Sequence, residues 1–439
     1  MAGAVACCLL LAGGPATADA SSDTTIPARL GLDEAERIFL ERGLDLLIAR
    51  DGAEAAEGEA TAAAAHPNPG LDLAAAYTPS LSRDAIYANL GNNAPTSLWG
   101  FSVGLSDNAA ISDQLSGKRS LRVQAAGKAL AAARLGVDDV RRVGLGQLRQ
   151  AYVAAVMAQL NLQAARESFE TFDQQLALNR KRYDEGVISG LDLARATQAQ
   201  LEALQTVDQA ENGRRQTLAA LLFLLGVRDG APAVTLASGI DYRALESLRS
   251  TTLETLHAQA LDHRPDVRVA AANLEQTNLA VRQAQRARVP DIALSLGYSE
   301  QCGPDTCSSQ PAFSAGLHGN VPLLYQQQGE IKRAESNARA AGRALDKVKA
   351  QVLADVTQAF ATYTAARSQV ERMESKLLEQ ARVSRDLAQH MYQQGAASFI
   401  DFIDAQRAFV ASRLEYHQDL ANYWNAVYQL EQATAVSLR

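Results

Sequence analysis

Long hydrophobic runs are missing from this 439-residue chain. The longest, Val5 to Ala12 and Leu218 to Val227, fall well short of the roughly 18 to 20 residues that a membrane-spanning helix needs. Any crossing of a membrane must therefore use strands. Basic charge is also lacking: 42 Lys and Arg face 49 Asp and Glu, a formal net charge of −7. With no Lys/Arg run to displace counterions, the chain does not read as a nucleic-acid binder. Aromatics make up only 5%, and alanine supplies much of the apolar content, which suits closely packed helices better than a thick globular interior. Histidine is sparse too, and the six residues, His66, His257, His263, His318, His390 and His417, show no metal-ligand spacing. No Gly-x-Ser-x-Gly elbow, zincin helix or dinucleotide loop appears, so an enzyme is disfavoured. Gly117-Lys118 is not a phosphate loop, because Ser112 stands at the first glycine position and Arg119 replaces the Ser or Thr.

Cysteine numbers four. Residues 1–18 read as a secretory signal, with Val5 to Ala12 as the apolar core and Ala16-Thr17-Ala18 as the cleavage site, although no basic residue precedes them. A lipoprotein signal around Cys7 is the weaker reading, since the apolar run follows the cysteine. Cleavage removes Cys7 and Cys8 and leaves Cys302 and Cys307 in an oxidising compartment. They flank a Gly-Pro turn, and a local disulfide in a surface loop is expected; two thiols without a histidine do not make a metal shell.

Proline is absent from 96–231 and 323–439. It is costly inside helices, and both stretches carry helical spacing, so long helices are expected near 118–182 and 329–391, each followed by a return helix. In the second, Leu353, Val356, Phe360, Tyr363, Val370, Met373 and Leu377 form a coiled-coil seam. Ahead of each long helix lie two short alternating segments, Leu71 to Tyr77 with Leu98 to Ser106, and Ile292 to Tyr298 with Ala312 to Asn320. These are four candidate strands in two hairpins, either membrane strands or soluble hairpins packed on the helices.

The chain also repeats itself. Tyr183, Gly186, Ser189, Asp192 and Ala196 match Tyr392, Gly395, Ser398, Asp401 and Ala405 at one constant offset, and Phe101 to Leu105 matches Phe313 to Leu317 at nearly the same one. Two repeats follow, 19–228 and 229–439, each ordered as short helices, strand hairpin, long helix, tight turn and return helix. Gly186 and Gly395 suit a left-handed helix end, and Ser189 to Asp192 and Ser398 to Asp401 read as capping boxes.

In these features the sequence resembles the TolC-like outer-membrane efflux proteins. The carrying residues are the doubled Tyr-x-x-Gly-x-x-Ser-x-x-Asp motif, His263-Arg264-Pro265-Asp266-Val267-Arg268 before an alanine-rich helix, and Arg288-Val289-Pro290-Asp291-Ile292 before a strand. The resemblance implies a mainly α fold with a small β part: a homotrimer whose coiled-coil hairpins build a periplasmic tunnel, and whose four strands per chain share one 12-stranded outer-membrane barrel. It further implies a passive exit duct serving a periplasmic adaptor and an inner-membrane pump, of the RND type. Ser116-Gly117-Lys118-Arg119 and Gln328-Gly329-Glu330-Ile331 resemble members paired with heavy-metal cation pumps, so metal cations or drugs are the expected cargo. A type I protein-secretion duct and a periplasmic coiled-coil structural or adaptor protein are the alternatives.

The same resemblance places a periplasmic gate at Asp401 and Asp404, with closing contacts at Asp192 and Tyr392, and adaptor-facing tips at Gly186, Ser189, Gly395 and Ser398. Capping alone also accounts for Asp401, whereas Asp404, a turn later, is better explained by a carboxylate ring that favours cations. Ala397 stands where a family arginine would pair with Asp192, so a closed state would lack that ion pair.

Overall fold

A computed structural model describes residues 26–77, 99–227, 234–237, 240–248, 251–302 and 311–438. The predicted signal segment 1–18, with Cys7 and Cys8, lies outside them. The first half runs β1 (Arg29–Leu30), α1 (Leu32–Arg42), α2 (Leu44–Ala64), β2 (Gly70–Tyr77), β3 (Trp99–Ser106), a short α3 (Ala110–Leu115), α4 (Lys118–Asp184) and α5 (Gly190–Leu224). The second half runs β4 (Thr235–Leu236), α6 (Leu253–His263), α7 (Pro265–Arg286), β5 (Ile292–Cys302), β6 (Ala312–Gly319), α8 (Gln328–Arg372), a π turn (Met373–Leu377), α9 (Leu378–Gln393) and α10 (Phe399–Thr434). Helix α4 has 67 residues, on the order of 100 Å at about 1.5 Å per residue.

The expected seam of the second long helix needs correction. Its buried line is Val352, Val356, Ala359, Tyr363, Ala366, Val370 and Met373, alternating steps of four and three. Leu353 and Phe360 flank this line, and Leu377 is exposed. The cause is the π turn, which inserts one extra residue: after Met373 the seam resumes at the half-buried Leu378.

The middle of the bundle is braced where the halves meet. β1 and β4 pair in parallel across α4, whose Tyr152 hydroxyl donates to the carbonyls of Leu30 and Ala237 at 3.1 and 3.2 Å. One turn pair further on, the Gln159 side-chain amide bonds Leu236 both ways, at 3.3 and 3.2 Å, as a neighbouring strand would. Arg149 of α4 ties Glu36 of α1 to Glu431 of α10. Arg264, buried at the start of α7, is held by Asp266, Asp355 and the Ala433 carbonyl. Gly144 and Gly146 of α4 are contact points: a Cβ on Gly144 would lie 2.4 Å from the Phe39 ring, and one on Gly146 2.6 Å from Gln432.

Candidate functional site: a two-faced sheet and two helical tips

At one end the strands form a single antiparallel sheet in the order β2-β3-β5-β6. Side chains alternate across a pleat, so the register sorts them. Leu71, Leu73 and Tyr77 share one face with Phe101, Val103 and Leu105, with Ile292, Leu294, Leu296 and Tyr298, and with Phe313 and Leu317. Most are exposed, Phe313 at 84%. The opposite face carries Asp72, Ser102, Ser295, Ser299, Ser314, His318 and several glycines. That face is polar and small: Ser295 Oγ lies 3.1 Å from His318 Nδ1. Apart from Glu300, which lies on the first face opposite Phe101 and accepts from the Tyr298 hydroxyl at 3.3 Å, one face is apolar and the other polar, as a wall between lipid and water requires. Edge strands β2 and β6 have no further strand partner among the described residues.

β5 is longer than the expected Ile292–Tyr298, because the ladder continues from Tyr298 opposite Val103 to Cys302 opposite Trp99. Cys302 thus ends a strand instead of lying in a loop. Cys307, and with it the expected disulfide, lies outside the described residues.

At the far end of the molecule two turns close the helical hairpins. After α4, Gly186 has φ +74°, and the amides of Val187 and Gly186 donate to Arg182 and Tyr183 at 2.8 and 2.9 Å, a Schellman closure. Gly395, φ +77°, repeats it after α9, with Ala396 and Gly395 donating to Met391 and Tyr392 at 2.8 and 3.1 Å. The caps that follow differ. Ser398 and Asp401 form a complete capping box: Ser398 Oγ accepts from Asp401 N, and the Asp401 carboxylate accepts from Ser398 N at 3.0 Å. At Ser189 only the first half exists, Asp192 N donating to Ser189 Oγ at 3.2 Å. Asp192 accepts from the Ser189 hydroxyl, as Asp401 does from that of Ser398, but not from the Ser189 amide, and it faces Arg195 at 3.7 Å, so the capping box expected at Ser189 is half formed.

The repeated tyrosines also diverge. Tyr183 is exposed, whereas Tyr392 is buried in an aromatic cluster with Phe399, Phe402 and Phe172. The Tyr392 hydroxyl donates to Asn179 Oδ1 on α4. The Arg182 guanidinium stacks 5.3 Å above the Tyr392 ring and donates to the Gln393 carbonyl at 3.2 Å. Asn179 and Arg182 therefore clip the two hairpins together, and neither stood out in the sequence because no repeat or motif marks them. Farther from the tips, Arg407 pairs with Glu202 and Arg413 with Glu167.

Asp401 and Asp404 are both exposed. The Ser398 hydroxyl and amide beside Asp401 hold its carboxyl below the usual range. The Asp404 side chain makes no hydrogen bond or ion pair with a described residue. Asp401 and Asp192 lie at different hairpin tips, and no direct bond joins Asp192 to Tyr392. Among the described residues no group of three His, Cys, Asp or Glu could hold a metal ion, and no helix is long and apolar enough to cross a membrane.

Comparison with known proteins agrees with this geometry. The sequence pattern of the family described as outer membrane efflux protein matches residues 37–227 and 256–436. The chain is 23% identical to the cobalt-zinc-cadmium resistance protein CzcC of Cupriavidus metallidurans, over 72% of this chain and 74% of that one. It is 24% identical to the cation efflux system protein CusC of Escherichia coli, over 66% of this chain and 63% of CusC, so the match spans less than two thirds of that relative. Among solved structures, the open state of the Neisseria gonorrhoeae MtrE outer membrane channel superposes with a TM-score of 0.74 at 19% identity, covering 93% of this chain and 89% of MtrE.

Proposed function

The chain belongs to the outer membrane efflux protein family, and from that premise we propose that it is the outer-membrane exit duct of a tripartite efflux system. The observation that carries this reading is the sheet: one face largely apolar and exposed, the other small and polar, with both edge strands open among the described residues. Four strands cannot close a barrel when the smallest have about eight, so the open edges call for further copies, and three would supply twelve strands. Beneath the barrel the hairpins would line a periplasmic tunnel of roughly the 100 Å given by α4. The chain then divides near 228 into two repeats of one ancestral hairpin unit.

In this reading Gly186, Ser189, Gly395 and Ser398 form tips that meet a periplasmic adaptor, through which an RND-type pump delivers cargo. Tyr392 and Asp192 hold neighbouring coils closed, and Asp401 and Asp404 face the entrance. The names of CzcC and CusC point to metal cations as cargo, with drugs as the second class. Chemistry is not required of a passive duct.

The test begins with fractionation. The protein should sediment with outer membranes, run as a heat-modifiable trimer and conduct ions in planar bilayers. Deleting its gene should lower tolerance to cobalt, zinc or cadmium or to drugs. A soluble periplasmic monomer without conductance would overturn the proposal and leave a coiled-coil structural protein.

A further inference from the structure

The foot of the sheet, where strands give way to helices, carries apolar side chains that the sheet does not explain. The segment 320–327 after β6 exposes Leu324 at 99% and Leu323 at 78%, with Val321 and Tyr325 also exposed. On α3, Leu115 is 83% exposed and Ile111 lies beside the same level. Both segments are fixed there: Ser112 Oγ bonds Ile292 N at 3.1 Å, and Arg288 Nε donates to the Gln326 carbonyl at 3.1 Å. Both lie just past the last strand residues, at the helical end of the sheet.

Just below this belt the charge turns positive. Arg286, Arg288, Lys332 and Arg333 are exposed, at and just past the end of α7 and in the second turn of α8. Of the acidic groups nearby, Asp291 is paired with Lys118 at 2.8 Å and Asp113 with Arg122 at 2.8 Å, which leaves Glu330, bonded by the Tyr325 hydroxyl at 2.8 Å, and exposed Glu335 against the four cations. Two adjoining clefts of about 440 and 320 Å³, which share Ala287 and Gln327, run from Val321 beside the belt to Arg333 below it. Apolar side chains above, cations beneath and a cleft between them reproduce the profile of a leaflet boundary, where Lys and Arg attract anionic headgroups and amphipathic surfaces bury their apolar side.

We infer that this foot is a binding surface for anionic phospholipid of the leaflet on the periplasmic side of the barrel. Leu115, Leu323, Leu324 and Tyr325 enter the acyl region, and Arg286, Arg288, Lys332 and Arg333 hold headgroup phosphates. The surface would fix the depth of the barrel and the angle at which the tunnel leaves it. The inference rests on the duct reading above.

The test uses the full-length protein reconstituted in vesicles, with tryptophan placed at the belt by Leu324→Trp and, as the milder variant, Tyr325→Trp. Fluorescence above that of the unsubstituted protein is read against brominated phosphatidylcholine or brominated phosphatidylglycerol at equal low fraction. The expected result is quenching by both lipids, with phosphatidylglycerol preferred by about tenfold, and that preference falling to parity when Arg286, Arg288, Lys332 and Arg333 are all changed to Gln. Equal quenching by the two lipids in the unneutralised protein overturns anionic recognition. Absence of quenching in conducting trimers overturns the inference as well, since a neighbouring copy would then cover the belt. Failure to insert or conduct at all would instead strike the duct reading itself.

Discussion

Gly144 and Gly58 both sit inside helices, yet substitution should move stability in opposite directions. A methyl on Gly144 would meet the buried Phe39 ring at 2.4 Å, so Gly144→Ala should destabilise by about 1–3 kcal/mol through overpacking. Nothing lies within 4 Å of a Cβ on exposed Gly58, and Gly58→Ala should stabilise by up to about 1 kcal/mol through helix propensity. Urea unfolding of the purified protein reads both, and a shared sign would refute the packing assignment. A second residue-scale prediction concerns pH. His417 is buried against Asn161, its Nδ1 2.7 Å from Asn161 Oδ1, and burial, aided by the Arg413 charge and only partly offset by Glu167, pushes its pKa down to about 4. The unfolded chain, with an ordinary value near 6.5, takes up a proton that the folded chain refuses. Stability should therefore be full above about pH 6.5 and fall as pH drops toward 4, by up to about 3 kcal/mol. His417→Gln should flatten that slope, and an unchanged pH profile in the variant would assign the acid sensitivity to other groups.

At the scale of the element, the π turn of the second hairpin makes a sharper claim. The seam steps from Met373 to Leu378 across five residues where a regular coil would take four. One residue is surplus. Deleting Ser375, an exposed member of the turn, should restore a continuous α-helix without rotating α9, leaving Tyr392 opposite Asn179. Deleting Ser384, which lies in regular helix, should rotate everything after it by about 100° and break that contact. Complementation of the gene deletion in a metal- or drug-tolerance assay should succeed with the first deletion and fail with the second; equal behaviour would show that the turn does not carry the surplus. How much of this was legible follows from side-chain size. Proline-free stretches mark α4 and α8–α9 because proline breaks helices, and strand alternation marks the sheet because one face must be apolar. The true seam is hidden because Ala359 and Ala366 do not stand out in an alanine-rich helix, while Leu353, Phe360 and Leu377 do. Partners across hairpins, such as Asn179 for Tyr392, have no sequence signal, since their proximity is created only by packing α4 on α10, which carries the end of α9 with it.

For the molecule as a whole, the tips matter through copies of one another. In the proposed trimer each chain brings Asp401 and Asp404 to one axis, and like charges so gathered repel unless a cation intervenes. Asp401 is held ionised by Ser398, whose hydroxyl and amide donate to its carboxylate at 2.7 and 3.0 Å, so its charge should persist as pH falls into the ordinary carboxylate range and vanish only below it. Asp404, exposed and without a described partner, is free to meet ions. Screening limits such fields to about 8–10 Å at physiological salt, so the effect requires a narrow entrance. Changing both residues to Asn should keep the helix start, because an Asn side-chain oxygen still accepts from Ser398 N, while removing the charge. Reversal potentials in planar bilayers should shift from cation preference toward neutrality, and block by a trivalent cation should weaken by an order of magnitude or more, as expected for loss of a carboxylate ring. If the double variant keeps its cation preference and its block, the two aspartates serve the helix start alone, and the polar face of the sheet, which carries Asp72, becomes the place where ions are sorted.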